Sequence, residues 1–268
     1  MKRPTLLIAI AALGVFVETF RQMVIWDRGW RLFARTSLQA ITGPLAIGFA
    51  AIVALISTLL LTQSRAGVVA FLLGMLALII ALAVGEKRGM GEAAGKRAMA
   101  ALLVAIFGVA AALSADPLFG RIESQGIADD GRASLAQSAL DAVQSAPLVG
   151  HGFGAFRRYY PFFADGTVQG DVDEVHNDVL EVLADLGLPA GLAYMAAPAL
   201  LAGMCFAGCL RRRRDRLYPA VGFAVSIAVG AHAFVDFSLQ IPAIAVTYAA
   251  LLGAGVAQSW RTNMDMVR

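Results

Sequence analysis

The chain has 268 residues, of which 59% are apolar and only 15% charged, and its mean hydropathy is +0.70. A soluble domain carries roughly 25% charged residues, so this chain has too little charge to cover a soluble globule and is too apolar to be disordered. Two cysteines exclude a disulfide scaffold, and what remains is an all-α, polytopic membrane helix bundle. The net charge of +3 is informative only through its distribution.

A crossing needs about 20 predominantly apolar residues, because the hydrocarbon core is about 30 Å thick and each helical residue rises about 1.5 Å. Seven stretches are candidates: residues 4–17, which is short and runs into Glu18, then 36–64, 66–85, 98–115, 186–210, 217–235 and 237–260. None alternates polar and apolar residues as a barrel strand does. Basic residues mark four of the segments between and after them. Arg21, Arg28, Arg31 and Arg35 stand with Trp26 and Trp30. Lys87, Arg88, Lys96 and Arg97 form a second group, residues 211–216 hold five arginines, and the tail holds Arg261 and Arg268. Lysine and arginine favour the cytoplasmic side. That leaves the turn near Arg65, the turn after Val235 and a loop of about residues 116–185 on the opposite, periplasmic face.

Three regions follow: residues 1–114, with about four spans and Arg65 at an outer turn; residues 115–187, the periplasmic loop; and residues 188–268, with about three spans. A cytoplasmic C-terminus after seven crossings puts the N-terminus outside, against the basic Lys2 and Arg3. Either N-terminal spans are missing or the first segment does not cross.

The long loop has twelve acidic and four basic residues. A loop of this length without internal structure is uncommon in a compact domain, and its pattern indicates helices. Residues 130–145 place Leu135, Ala139, Leu140 and Val143 at helical spacing. A turn-rich stretch follows at Pro147-Leu148-Val149-Gly150-His151-Gly152-Phe153-Gly154, then Arg157 and Arg158, then a polar lid over residues 165–173. His176 and Asn177 lead into a second amphipathic helix through Val179, Leu180 and Leu183, which enters the next span at Gly187.

Arg65 lies between two uncharged stretches, at the mouth of the membrane. A charge there is costly unless it is paired, ligand-bound or snorkelling to the interface. Arg132, Arg157 and Arg158 are either loop ion pairs or anion ligands, since a guanidinium offers planar paired donors suited to phosphate. Asp171, Asp173, Glu174 and Asp178 show no calcium-loop pattern and read as a solvated acidic lid, so no metal site is expected. His151, between two glycines, reads as a turn residue. His232, four residues before Asp236, is either structural or lines the site. His176 starts a helix at the boundary between lid and membrane, where an imidazole can take a proton near neutral pH. Cys205 and Cys209 read as reduced packing residues, and residues 211–214 as a topology anchor touching anionic lipid.

Four elements in this order resemble the O-antigen ligase and polymerase superfamily of bacterial membrane glycosyltransferases. They are Gln63-Ser64-Arg65-Ala66-Gly67 at the start of a span; Gly131-Arg132 opening a loop helix, with the turn-rich stretch after it; His176-Asn177-Asp178 with Ala184-Asp185-Leu186-Gly187; and His232 with Asp236 and the residues up to Pro242. The match runs from about residue 38 to the C-terminus. Members have around a dozen spans, so the resemblance implies that the N-terminal ones are missing here. Two departures stand out: Leu135 and Ala136 follow the Gly-Arg element where an aromatic residue is common, and Asp185 stands where Glu is common.

The resemblance implies metal-independent, cofactor-free transfer of a glycan from an undecaprenyl-diphosphate carrier to an acceptor hydroxyl at the periplasmic face of the inner membrane. Arg65 and Arg132 match the family's arginines, and His176 its loop histidine. These three are the expected catalytic residues. Arg157, Arg158, Asn177, His232 and Asp236 are the expected substrate-binding residues. The acceptor, whether lipopolysaccharide, exopolysaccharide, a growing glycan or protein, is left open. Two other readings stand beside this one: a membrane transporter, weakened by the lack of paired broken helices and of charges in mid-span, and an inactive remnant of the ligase family. No nucleic-acid partner is expected.

Overall fold

The structure, a computed structural model, describes residues 7–8, 10–12, 54–55, 57–58, 64–84, 130–168, 172–212 and 216–260, with the backbone alone at Arg65 and Asp130. Among the described residues the regular structure is helical throughout, in agreement with the all-α expectation. The helices are α1 (Arg65–Val84), α2 (Asp130–Ser145), the short α3 (Phe156–Tyr159), α4 (Asp178–Arg211), α5 (Leu217–Ala233) and α6 (Pro242–Ala257). Single 3-10 turns follow α3 at Tyr160–Phe162 and precede α6 at Ser238–Gln240.

The helix over Ala66–Val84 and that over Asp178–Arg211 are long and apolar enough to cross a bilayer, while α5 and α6 are apolar but shorter. The expected crossings at residues 4–17, 36–64 and 98–115 lie wholly or largely outside the described residues. The described residues therefore give two helices of crossing length where the sequence suggests seven spans.

Local chemistry sets the helix ends. Ser64 caps α1, its hydroxyl accepting the Gly67 N–H at 3.1 Å, which makes Arg65 the first residue of the helix. Asn177 caps α4 in the same way, accepting the Leu180 N–H at 3.0 Å. Pro242 opens α6, where a missing N–H is harmless.

Gly187 interrupts α4 with φ +75 and ψ 168. Before it lies a segment carrying Asp178, Glu181 and Asp185, all buried. After it runs the apolar stretch that includes Leu188, Leu192 and Leu200, all exposed. The kink thus falls at the junction between loop helix and span that the sequence suggests.

Two cores form. In the first, α5 packs between α1, α4 and α6, burying Phe71, Leu78, Cys205, Cys209, Val221, Val225, Ala228, Ile244 and Leu252. Backbones come close through small residues: a Cβ added at Gly222 would stand 2.9 Å from Cys205 Sγ and 3.1 Å from Gly255 Cα. Cys205 and Cys209 are free and buried, as expected of packing residues.

The second core joins α2 to the loop: Leu135, Ala139, Ala142 and Val143 meet Phe156, Tyr159, Tyr160, Val175 and Ala184. Leu140, expected on the inward stripe, is 39% exposed. It is rotated about 100° from Ala139, and Ala142, three residues on from Ala139, takes the inward place.

Candidate functional site

The loop between α2 and α3 is stapled to the kink of α4 by backbone contacts. His151 N–H donates to Ala184 O at 3.0 Å, Gly152 N–H to Asp185 O at 2.9 Å, and Leu188 N–H to Pro147 O at 2.7 Å. Gly150 and Gly187 make this approach possible. A Cβ on Gly150 would lie 2.2 Å from Asp185 O, and one on Gly187 would lie 2.6 Å from Leu148 C. Both glycines have positive φ, +65 and +75, a region that suits residues without a Cβ.

The side chain of Asp185 continues the staple. Its Oδ2 accepts the Gly154 N–H at 2.6 Å and its Oδ1 accepts the Tyr159 hydroxyl at 3.0 Å. Burial, reinforced by the Asp185 carboxylate, holds the Tyr159 hydroxyl far above its ordinary range, so it stays a donor. His151 Nε2 lies 3.0 Å from both Ala142 O and Ser145 Oγ, and its ring sits 4.6 Å from that of Tyr159. It is the turn residue its flanking glycines suggest.

The lid joins α2 through Asp165, whose Oδ1 accepts from Ser134 Oγ and from the Thr167 N–H, each at 2.8 Å. Those two bonds, the Thr167 amide first, hold its carboxyl below the usual range. Arg157 Nε lies 3.2 Å from Asp173 Oδ1, with both side chains largely exposed.

His176 stands at the end of this loop with φ +58. A non-glycine residue held there carries a strain of roughly 1–3 kcal/mol. The conformation turns its ring toward the segment that follows α5. Nδ1 lies 3.5 Å from Asp236 Oδ1, a long contact, and the ring packs 4.9 Å from that of Phe237. Asp236 is mostly buried, and the Phe237 N–H donates to its Oδ1 at 3.0 Å.

Three bonds fix the two segments to each other. Asn177 Nδ2 donates to Phe234 O at 2.9 Å, Asp178 N–H to Asp236 O at 3.3 Å, and Leu239 N–H to Asp178 Oδ2 at 3.0 Å. Asn177 therefore both caps α4 and ties the site together. His232, buried in the last turn of α5, has Ser238 Oγ 2.6 Å from its Nδ1.

Buried carboxyls support this junction from below. In the segment of α4 before the Gly187 kink, ahead of the apolar run, burial pushes Asp178 up to about 6. The Leu239 amide and the Gln240 side chain oppose the rise, and Asp236 and Glu174 add to it. Glu181 is also raised, first by burial; it accepts the Val175 N–H at 3.0 Å and faces Glu174. Asp185 is raised by burial as well.

Of the expected site residues, the structure brings together His176, Asn177 and Asp236. Arg132 lies exposed on the first turn of α2, Arg157 and Arg158 lie exposed on α3, and His232 is packed beneath the junction. At Arg65 the backbone alone is described, at the first position of α1. The sequence assigns no role to Phe237, Ser238, Gln240, Glu181 or Tyr159, although the first four stand within or beside the matched elements. Their contacts join segments distant in sequence, and no local periodicity marks them.

A family model described as O-antigen ligase matches residues 50–195, more than half of the chain. No curated protein matches it.

Proposed function

The chain belongs to the O-antigen ligase family, a family of membrane glycosyltransferases, and from that premise we propose that it transfers a glycan from an undecaprenyl-diphosphate carrier to an acceptor hydroxyl, at the periplasmic face of the inner membrane. The observation that carries this reading is His176, held in a strained backbone conformation with its Nδ1 directed at Asp236. With Nδ1–H donating to that carboxylate, Nε2 is left as a proton acceptor.

In this reading the acceptor hydroxyl attacks the anomeric carbon and loses its proton to His176 Nε2, while the bond from that carbon to the diphosphate oxygen breaks. The electron pair leaves with the carrier diphosphate, and negative charge grows on the leaving oxygen. Arg65 and Arg132 supply fixed positive donors for that charge, which lowers the barrier. Asp236 and Asn177 act as positioning residues, the first on the imidazole, the second on the backbone that presents it. Arg157 and Arg158 border the substrates, and His232, buried against Ser238, supports the segment that carries Asp236. Holding donor and acceptor together supplies much of the remaining rate.

The test is glycan transfer from a lipid-linked donor by purified protein in detergent. His176→Ala is expected to lose roughly 10²–10⁴-fold, the usual worth of a general base. Arg65→Ala and Arg132→Ala are each expected to abolish detectable transfer, with membrane insertion unchanged. Wild-type turnover by all three variants would overturn the assignment.

A further inference from the structure

We propose that Leu148, Val149 and Phe153 form a membrane anchor, a loop tip that inserts among the acyl chains of the leaflet beside the site. The three side chains are 72%, 79% and 71% exposed. Left in water they would forgo roughly 1.5–3 kcal/mol each relative to burial, and contiguous apolar exposure of this kind marks an interaction surface.

The tip is fixed in place. The Leu188 N–H donates to Pro147 O at 2.7 Å, the Gly150 N–H to Ala146 O at 2.9 Å, and the Gly150 backbone lies against that of Asp185 and Gly187. It is therefore held at the kink of α4, where the acid-bearing segment ends and the exposed apolar run begins.

Depth identifies the partner as lipid. The Phe153 ring lies 6.3 Å from that of Tyr194. Tyr194 is seven residues beyond Gly187, about 10 Å along the helix axis at 1.5 Å per residue. Phe153 thus sits beside the stretch of α4 that leads into the bilayer. Leu188 and Leu192 are exposed on the same stretch of helix, and Tyr194 is the kind of residue found at membrane interfaces. An apolar tip held against a helix of membrane-crossing length meets acyl chains, and interfacial elements bury their apolar face about 5–10 Å into the boundary. The anchor holds the staple at the α4 kink at a constant height over the leaflet, and it does not depend on how His176 acts.

The experiment uses the full chain in nanodiscs of phosphatidylcholine and phosphatidylglycerol. Trp26, Trp30 and Trp260 are replaced by Phe, and Phe153→Trp supplies the single fluorophore. Lipid carrying a nitroxide at acyl carbon 5 is expected to quench it several-fold more strongly than aqueous iodide does, with blue-shifted emission. Leu200→Trp, on the exposed face of the span, serves as the lipid-quenched reference. Strong iodide quenching with little lipid quenching overturns the proposal, and so does protection from both, which would mean that protein covers the tip. If that background does not fold, Val149→Cys carrying a bimane label gives the same readings in the otherwise native chain, since Cys205 and Cys209 are buried.

Discussion

The two cores of this protein are held by different forces. In the helix bundle, α1, α4, α5 and α6 meet through alanines, valines and glycines, and contact is limited by side-chain volume. In the loop, α2 and α3 bury a similar apolar cluster, but their position against α4 is set by backbone hydrogen bonds, two left-handed glycines and the Asp185 carboxylate. A membrane supplies apolar surroundings to the first region for nothing. The second buries carboxyls and backbone groups that need partners, so it fixes its geometry by satisfying those groups one at a time. The loop is the more specifically built of the two, and it is the region that carries His176.

Glycine substitutions should separate these regimes most sharply. Gly187→Ala and Gly150→Ala place a Cβ against rigid backbone at 2.6 and 2.2 Å, at positive φ. Each is expected to cost more than about 3 kcal/mol, to expose residues 147–155 to protease and to lower transfer. Gly74→Ala, in the bundle, meets Ile10 Cδ1 at 2.7 Å and Ala228 Cβ at 2.9 Å. Ile10 can turn aside, whereas Ala228 Cβ and Ala224 O at 3.2 Å move only if the two helices part slightly, so about 1–3 kcal/mol is expected. Gly203→Ala meets nothing within 4 Å and should be neutral. Thermal unfolding in detergent with site-resolved proteolysis checks the order. An equal response at Gly187 and Gly203 would break the comparison.

A smaller effect concerns pH. The carboxyl of Asp178 rises from 3.8 to about 6 on folding, so the folded loop binds a proton that the unfolded chain does not bind between those values. Stability should therefore increase as pH falls from 7 to 5, by on the order of 1 kcal/mol from this group. Burial raises Glu181 and Asp185 in the same direction. Asp178→Asn should reduce the slope. Hydrogen exchange of residues 172–188 at the two pH values measures it, and a loop equally protected at both would contradict the assignment.

How much of this was legible beforehand follows from the range of each signal. Hydropathy marked residues 66–85 and 186–210, which correspond to α1 and to α4 beyond its kink, because a span is a local property of the chain. A helix starting near His176 and Asn177 and its junction with the span at Gly187 were legible for the same reason, whereas the kink at that junction was not. Asp236 was not placed so easily. Four residues after His232, it looks like a helical neighbour of that histidine, but α5 ends at Ala233. Beyond that end the spacing loses its meaning, and the Asp236 carboxylate turns to His176, sixty residues away in sequence. The staple at Gly150 and Gly187 was hidden likewise. Two glycines in separate motifs each suggest a turn, and nothing in either indicates that their backbones touch.

The central claim is that the loop sets His176 and Asp236 as one unit for proton transfer. A double-mutant cycle of His176→Gln and Asp236→Asn, read as kcat for transfer from a lipid-linked donor, tests it most directly. If the pair acts together, Asp236→Asn costs activity in the presence of His176 and nothing further once His176 is Gln, so the double variant matches His176→Gln alone. Fully additive losses, or an Asp236→Asn variant with wild-type kcat, would contradict the account.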